Sequence, residues 1–269
     1  MSGTEDDEPR FGADDVVEVA SKLAEDDGTF LVGGQATNLW AWYYAGSDPA
    51  LDPSNPMTSK DIDYFGSFKA AEALAEALGG KAYRPDKDTM NSPSTALVIA
   101  TLGGRKLEID FLNGVLGVSR RELEQGVSVL RAPAKVDGVD VFVNVPLLHP
   151  LLCLKSRVAN MLSPATMRRD QIAWAQLHAA IAVVGAYVSD TLEADDWKEA
   201  KACIQDLVAY LRSDPYARQA EAELGVDLID ILRRFEDDAA IDARYRERTL
   251  KPEIEKLAEK SATRAAKRS

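Results

Sequence analysis

The sequence predicts an α+β protein in which a small domain built on a mixed sheet, residues 1–146, precedes an α-helical domain, residues 147–269. Short β-rich runs separated by glycine turns lie before Pro146. After Pro146 the apolar residues recur at helical spacing almost throughout. The length of 269 residues suits two domains of ordinary size, and the composition is that of a folded globular chain.

The first half is expected to alternate helices with strands. A polar segment over residues 1–10 precedes an amphipathic helix over 16–23 that ends near Gly28. The apolar run 30–32 is stopped by Gly33 and Gly34, which predicts a strand, a glycine turn and then a helix over 36–44. A proline-rich loop over 46–56 leads into a strand over 61–65, and an Ala-Leu-Glu run predicts a helix over 68–78.

Two hairpins complete the predicted sheet. The runs 96–102 and 106–112 are joined through Gly103-Gly104, a pair that supplies the positive φ angles of a tight turn. A second hairpin is expected from 127–130 and 139–145. Helices are then predicted over 147–162, 168–188, 197–211 and 224–235, followed by a charged tail. The uncharged stretch 171–189 contains Gln171, Gln176 and His178, which favours a core helix over a membrane span.

The composition excludes several classes of function. There are 32 basic and 44 acidic residues, a net charge of −12, which argues against a broad grip on nucleic acid. Two histidines and two cysteines are too few for most zinc sites. His149 and Cys153 are four residues apart, but their apolar surroundings favour a buried helix lining over a nucleophilic pair. An acidic N-terminus without a secretory signal predicts a cytoplasmic protein that does not enter the membrane.

Carboxylates are arranged for metal binding on two predicted strands. The two-residue period of a strand puts Asp61 and Asp63 on one face, and it likewise puts Glu108 and Asp110 on one face of the later strand. If these strands are neighbours, three or four carboxylates converge and repel one another unless a cation neutralises them. Because all these ligands are oxygens, the expected ion is Mg²⁺. A solvated strand face is the alternative.

The glycine pair adds a place for phosphate. Gly33 and Gly34 open a helix whose unpaired N–H groups favour phosphate oxygens, although a simple tight turn would have the same sequence. The order of a glycine turn, a paired Asp and a single Asp resembles the nucleotidyltransferase superfamily typified by DNA polymerase beta. Within that superfamily the chain is most similar to the AbiEii-like toxin nucleotidyltransferases of type IV abortive-infection systems, over roughly residues 30–178.

The resemblance implies roles for particular residues. Asp61, Asp63 and Asp110 would hold two Mg²⁺ ions, and Asp110 would also accept the proton of the attacking hydroxyl. The later motifs match Lys155 and Asp170, which the resemblance places among the catalytic residues. Contacts to the nucleoside triphosphate are expected from the following residues: Gly33, Gly34, Lys60, Lys155 and Arg157. Lys60 stands close to the position where relatives often carry an Arg and this chain has Met57.

The implied activity is transfer of a nucleoside monophosphate from a nucleoside triphosphate to an acceptor hydroxyl. For a toxin of this family the acceptor would be RNA, such as the 3′ end of a tRNA, and the partner a cognate antitoxin. Arg157, Arg168, Arg169 and the basic tail from Arg244 offer confined basic surface for RNA. Two alternatives stay open: a small-molecule nucleotidyltransferase of the antibiotic-modifying kind, and a non-catalytic nucleotide-binding relative.

Overall fold

The structure is a computed structural model that describes residues 9–23, 28–54, 57–85, 94–136 and 138–267. Most of the polar segment predicted over residues 1–10 lies outside the described residues, as do the last two residues of the proline-rich loop. Residues 24–27, where the first helix was expected to end, and the last two residues of the charged tail also lie outside the described residues.

Seven strands form one mixed sheet in the first half of the chain. They are β1 (Phe30–Val32), β2 (Ile62–Phe65), β3 (Lys81–Tyr83), β4 (Ser94–Leu102), β5 (Arg105–Leu112), β6 (Val127–Val136) and β7 (Val139–Leu148). Their order across the sheet is β3-β4-β5-β2-β1-β7-β6. At the centre, β2 is parallel to β5 and antiparallel to β1, while β1 is parallel to β7. The centre of the sheet therefore brings together strands that are far apart in sequence.

Helices flank the sheet and make up the second half of the chain. The first four are α1 (Ala13–Ala20), α2 (Gly33–Tyr43), α3 (Phe68–Ala77) and α4 (Arg120–Gln125). The later ones are α5 (Pro150–Leu162), α6 (Gln171–Glu193), α7 (Trp197–Ser213), α8 (Pro215–Leu224), α9 (Asp230–Arg233), α10 (Ala243–Tyr245) and α11 (Lys251–Ala266), with a π-helical turn at Arg246–Leu250 before α11. This arrangement confirms the predicted class, a mixed α+β sheet followed by a largely helical region.

The two predicted hairpins are confirmed. Gly103 and Gly104 have φ angles of 56° and 77° and join β4 to β5, which pair antiparallel with one register shift between Ser94 and Ala96. The second hairpin, β6 to β7, is longer than predicted, because β7 continues through Pro146 to Leu148. Residues 147–148, expected in a helix, are therefore strand, and α5 starts after His149, which accepts a hydrogen bond from the Leu151 N–H.

The predicted helix over 224–235 is wrong. Gly225 adopts a left-handed conformation (φ 67°) that ends α8, and a loop separates α8 from the short α9. Helix α8 itself is not among the helices predicted from the sequence. Its start is fixed by the Asp214 side chain, which accepts hydrogen bonds from two backbone N–H groups. The short elements β3 and α4 were missed as well.

Two apolar groups of side chains form the interior. One lies between the sheet and α1, α2 and α3, and it includes residues of α5 and α6; the other lies among α5 to α9 and α11. Trp40 of α2 belongs to the first, and its indole N–H donates to the Leu148 carbonyl oxygen at 2.9 Å. Because α5 and α6 contribute to both groups, the helical region is continuous with the sheet.

Helix α6 is the one described helix that is long and apolar enough to cross a membrane. More than half of its apolar stretch is buried inside the protein, as expected of a core helix.

Candidate active site

Asp63 and Asp110 lie side by side at the centre of the sheet. In the parallel pair of β2 and β5, Asp63 is in register with Asp110, and Ile62 with Ile109. Neighbouring strands are about 4.8 Å apart and residues in register point to the same face, so the two carboxylates project together. The neighbours on either side in sequence, such as Tyr64, are fully buried on the opposite face. The predicted convergence of the two strands is therefore present.

Asp61 extends this pair to three acidic side chains, which we call the carboxylate cluster: Asp61, Asp63 and Asp110. Asp61 is exposed just before β2 begins. The pKa of Asp63 is raised to about 6, first by burial and then by Asp110, with a smaller contribution from Asp61. Burial also raises the pKa of Asp110, as do the charges of Asp61 and Glu108. The three carboxylates thus share one electrostatic environment that favours a cation.

The glycine pair lies directly against this cluster. Gly33 has φ +66°, and a Cβ atom there would stand 2.0 Å from Oδ2 of Asp63. A Cβ atom on Gly34 would stand 2.5 Å from Nε2 of Gln176. The two glycines form the first turn of α2, and not a turn before it, after Val32, whose side chain cannot cap the helix. Both positions therefore require glycine because another side chain approaches the helix start.

Among the described residues, Arg157 of α5 is the basic side chain with the largest effect on the pKa of Asp63. Its charge lowers the pKa of Asp63, opposing the effects of burial and of Asp110. Its Nη1 donates to Oε1 of Gln176 at 3.0 Å, and its Nη2 donates to Oγ of Ser156 at 3.3 Å. The Nε atom is buried and has no hydrogen-bond partner among the described residues. The exposed Arg168 also lowers the pKa of Asp63.

Three buried amide side chains, which we call the polar chain, connect Arg157 to the N-terminal region: Gln35, Asn38 and Gln176. Nε2 of Gln176 donates to Oδ1 of Asn38 at 3.2 Å, and Nδ2 of Asn38 donates to Oε1 of Gln35 at 3.1 Å. Nε2 of Gln35 donates to the carbonyl oxygen of Phe11 at 3.0 Å. All three side chains are at least 96% buried. The polar chain crosses from α2 to α6 through the hydrogen bond between Asn38 and Gln176.

The oxygen donors fit Mg²⁺ when phosphate is present. Among the described residues, no three Asp, Glu, His or Cys side chains form a ready-made metal site. Mg²⁺ is commonly held by one or two carboxylates together with water and substrate phosphates, and it rarely needs a cage made by protein alone. A carboxylate pair beside a helix N-terminus suits that mode of binding, because the phosphate would complete the coordination.

Other residues predicted for the site lie elsewhere or have structural partners. Lys155 is two residues before Arg157, which turns it by about 200° around α5. Its ammonium group pairs with Glu122, and its side chain is 11% exposed. Asp170 caps α6 by accepting from the Ala173 N–H at 2.8 Å, and it also accepts from Arg168 Nε at 2.7 Å. The structure therefore brings Arg157, and not Lys155, to the carboxylate cluster.

Lys60 directly precedes Asp61 and is partly buried. The charged tail forms α11, and Lys251 at its start pairs with Asp237 and Glu247. Lys251, in the tail expected to offer basic surface for RNA, therefore has acidic partners within the protein.

His149 and Cys153 do not form a nucleophilic pair. The Nε2 atom of His149 lies 3.6 Å from a carboxylate oxygen of Glu199. Cys153 is buried and donates to the Leu148 carbonyl oxygen at 3.4 Å, and burial raises the pKa of its thiol to about 12. A thiol with so high a pKa is a poor source of thiolate.

The polar chain is a feature of this site that the sequence does not predict. In the sequence Gln176 argues only against a membrane span, and Gln35 and Asn38 stand near the start of the helix that follows the glycine pair. The signal was present, since amide side chains on an apolar helix must find partners when they are buried.

Comparison with known proteins gives no match: neither a family model, nor a curated protein, nor a solved structure matches this chain. The likeness to nucleotidyltransferases depends on the residues of the carboxylate cluster and the glycine pair.

Proposed function

We propose that the protein is a magnesium-dependent nucleotidyltransferase, which moves a nucleoside monophosphate from a nucleoside triphosphate to an acceptor hydroxyl. One observation carries the proposal: Asp63 and Asp110 are in register on neighbouring parallel strands, and Asp63 packs against Gly33 at the start of α2. This places paired carboxylates next to a helix N-terminus, so that metal ligands and phosphate-binding N–H groups meet at one point.

The triphosphate would lie across the first turn of α2. The N–H groups of Gly33 and Gly34 donate to phosphate oxygens, while the absence of side chains at both positions leaves room for Asp63 and Gln176 beside the helix start. Arg157 adds a cation, and its unpartnered Nε is a donor that a phosphate oxygen would satisfy after a small shift. Mg²⁺, when bound, would neutralise charge on the carboxylates and the phosphates and lower the pKa of the attacking hydroxyl.

The residues of the carboxylate cluster divide the work. Asp63 in β2 and Asp61 just before it would be two of the metal ligands, and Asp110 would be the ligand beside the acceptor. The acceptor oxygen forms a bond to the α-phosphorus while the bond from that phosphorus to pyrophosphate breaks. The hydroxyl proton passes to Asp110 as the general base.

An RNA 3′ end is the acceptor that we favour. Arg168 is exposed and lowers the pKa of Asp63, so a basic side chain that could contact RNA phosphates lies near the site in an otherwise acidic protein. A small hydroxyl-bearing acceptor and non-catalytic nucleotide binding are the other outcomes of the test.

The test is an incubation with triphosphates labelled at either the α- or the γ-phosphate. Each nucleotide is supplied with Mg²⁺ and with either total RNA or a panel of small hydroxyl compounds. The proposal predicts that the α-label reaches RNA while the γ-label leaves as pyrophosphate, and that Asp63→Asn and Asp110→Asn abolish both. Transfer of the γ-label to the acceptor would show a kinase and contradict the proposal. Transfer of the α-label to a small compound alone would show that the acceptor is not RNA, while the nucleotidyltransferase reaction would stand.

A further inference from the structure

The amide of Gln176 links the glycine pair to Arg157. Its Nε2 atom stands 2.5 Å from the position that a Cβ of Gly34 would occupy, and its Oε1 accepts from Nη1 of Arg157 at 3.0 Å. On the other side of the same helix start, Oδ2 of Asp63 stands against Gly33. The first turn of α2 is therefore bordered by the Asp63 carboxylate and by the Gln176 amide, which is hydrogen-bonded to the Arg157 guanidinium.

We propose that Gln176 is a positioning residue that holds the Arg157 guanidinium against the first turn of α2, so that this side chain and the helix N–H groups bind the same polyphosphate. The inference rests on the proposed function for the identity of the ligand, and it adds a residue that the nucleotidyltransferase resemblance did not supply. Gln176 itself makes no contact with the phosphate; it acts through Arg157.

The direction of the amide is fixed by its partners. An amide has a donor end and an acceptor end, and the donor end of Gln176 is engaged by Oδ1 of Asn38 at 3.2 Å. The carbonyl end therefore faces Arg157, which has only donors. Asn38 is in turn held by Gln35, and Gln35 by the backbone of Phe11. Each step of the polar chain is buried, so rotation of the Gln176 amide would leave buried groups without partners.

A long side chain such as Arg loses rotamer freedom when it binds a ligand. If Gln176 has already fixed the guanidinium, part of that entropy is lost before the ligand arrives, and binding is tighter. The expected effect of removing the amide is thus on polyphosphate affinity, beyond any effect on folding.

The experiment measures binding of magnesium tripolyphosphate by calorimetry, which requires no catalysis. The test variant is Gln176→Met, which keeps the length of the side chain and removes both hydrogen-bonding ends. The matched control is Gln35→Met, because Gln35 is also buried and also has two polar partners, but its loss leaves both direct partners of Gln176, Asn38 and Arg157, in place. Urea unfolding of both variants checks that they fold and lose stability to a similar extent.

We expect Gln176→Met to weaken binding more than tenfold, and Gln35→Met to change it less than threefold. Arg157→Lys should also weaken binding, and adding Gln176→Met to it should change the affinity by less than twofold, because the interaction between the two is already lost. Equal losses for both Met variants, or multiplying effects in the double variant, would show a structural role and overturn the inference. So would a wild-type protein that does not bind tripolyphosphate.

The same samples separate this inference from the proposed function. If the coupled pattern appears in binding and no nucleotide is ever transferred, the positioning role stands and the transferase proposal fails. If transfer occurs and Gln176→Met behaves like Gln35→Met, the transferase proposal stands and the positioning role fails.

Discussion

Replacing Asp63 with asparagine should stabilise the folded protein at neutral pH while abolishing nucleotide transfer. The pKa of this carboxyl is raised from its ordinary value of 3.8 to about 6, mainly because it is buried. One pH unit corresponds to 1.36 kcal/mol, so a difference of about two units between the folded and unfolded chain costs the folded state about 3 kcal/mol. The asparagine side chain would carry no charge, and the variant would avoid this cost.

The sign of the effect depends on pH. Below about pH 4 the carboxyl is protonated in both states, so the substitution gains little. Between about pH 4 and pH 6 the folded state keeps the proton that the unfolded chain releases, and the stability of the wild type falls as pH rises. Above the folded pKa the cost is complete, and the variant should be more stable by an amount of order 3 kcal/mol.

The assay is urea unfolding of wild type and Asp63→Asn at pH 4 and pH 7.5, with a chelator present. Asp140→Asn is the matched control, because its side chain is 92% exposed and has only a distant ion pair with Lys135. The control should change the unfolding free energy by less than about 0.5 kcal/mol at either pH. An Asp63→Asn variant that is destabilised at pH 7.5, or equally stabilised at both pH values, would refute the reasoning.

The remaining predictions concern ligands, glycines and Lys155. Calorimetry should show nucleoside triphosphate binding in Mg²⁺ and not in chelator, because the carboxylate cluster repels a bare triphosphate; equal affinity in both would count against the metal site. Gly33→Ala and Gly46→Ala both place alanine at a positive φ, which costs about 1–2 kcal/mol by urea unfolding. Gly33→Ala should cost more than Gly46→Ala and should also lower transfer more than tenfold, since only its Cβ meets Asp63. Comparable transfer by both variants would contradict this. Lys155→Ala should lower the unfolding free energy by about 0.5–1 kcal/mol, because it removes the ion pair with the partly exposed Glu122; a fall in turnover at unchanged stability would instead support the triphosphate contact predicted from the sequence. RNA binding should weaken steeply with salt in filter-binding measurements, and an affinity independent of salt would exclude phosphate contacts.

Local patterns predicted the sheet well because the relevant signals are close together in the chain. Gly103-Gly104 between two β-rich runs specifies a hairpin, and period-two burial in β5 predicted the face that Asp110 shares with Glu108. The pairing of β2 with β5 was stated only as a condition, since α3, β3 and β4 separate them in sequence. Only the folded chain shows that Asp63 and Asp110 are in register.

The distribution of cations could not be predicted from motif order. Lys155 and Arg157 both stand early in the same helix, and spacing alone gave them the same role. Packing separates them, because α5 turns Lys155 towards Glu122 and Arg157 towards Gln176. The error at residues 224–235 has a local cause. The apolar residues there suit a helix, but Gly225 adopts a left-handed conformation that ends α8.

A helix was correctly predicted after β1, but it starts earlier than predicted. The glycine pair was expected to form a turn ahead of the helix, whereas it forms the first turn of α2 itself. The reason for two glycines was not visible in the sequence, because it depends on Asp63 and Gln176, which approach from opposite halves of the chain.

The central claim is that the carboxylate cluster and the first turn of α2 together bind a metal–triphosphate complex. Its most direct test is a crystal structure with Mn²⁺ and a non-hydrolysable nucleoside triphosphate, using the anomalous signal of manganese to locate the ions. The account predicts anomalous peaks bounded by Asp61, Asp63 and Asp110, with the phosphates against Gly33, Gly34 and Arg157. Manganese and nucleotide bound at another place, such as the cleft lined by Lys155 and Tyr210, with the carboxylate cluster free of both, would contradict it.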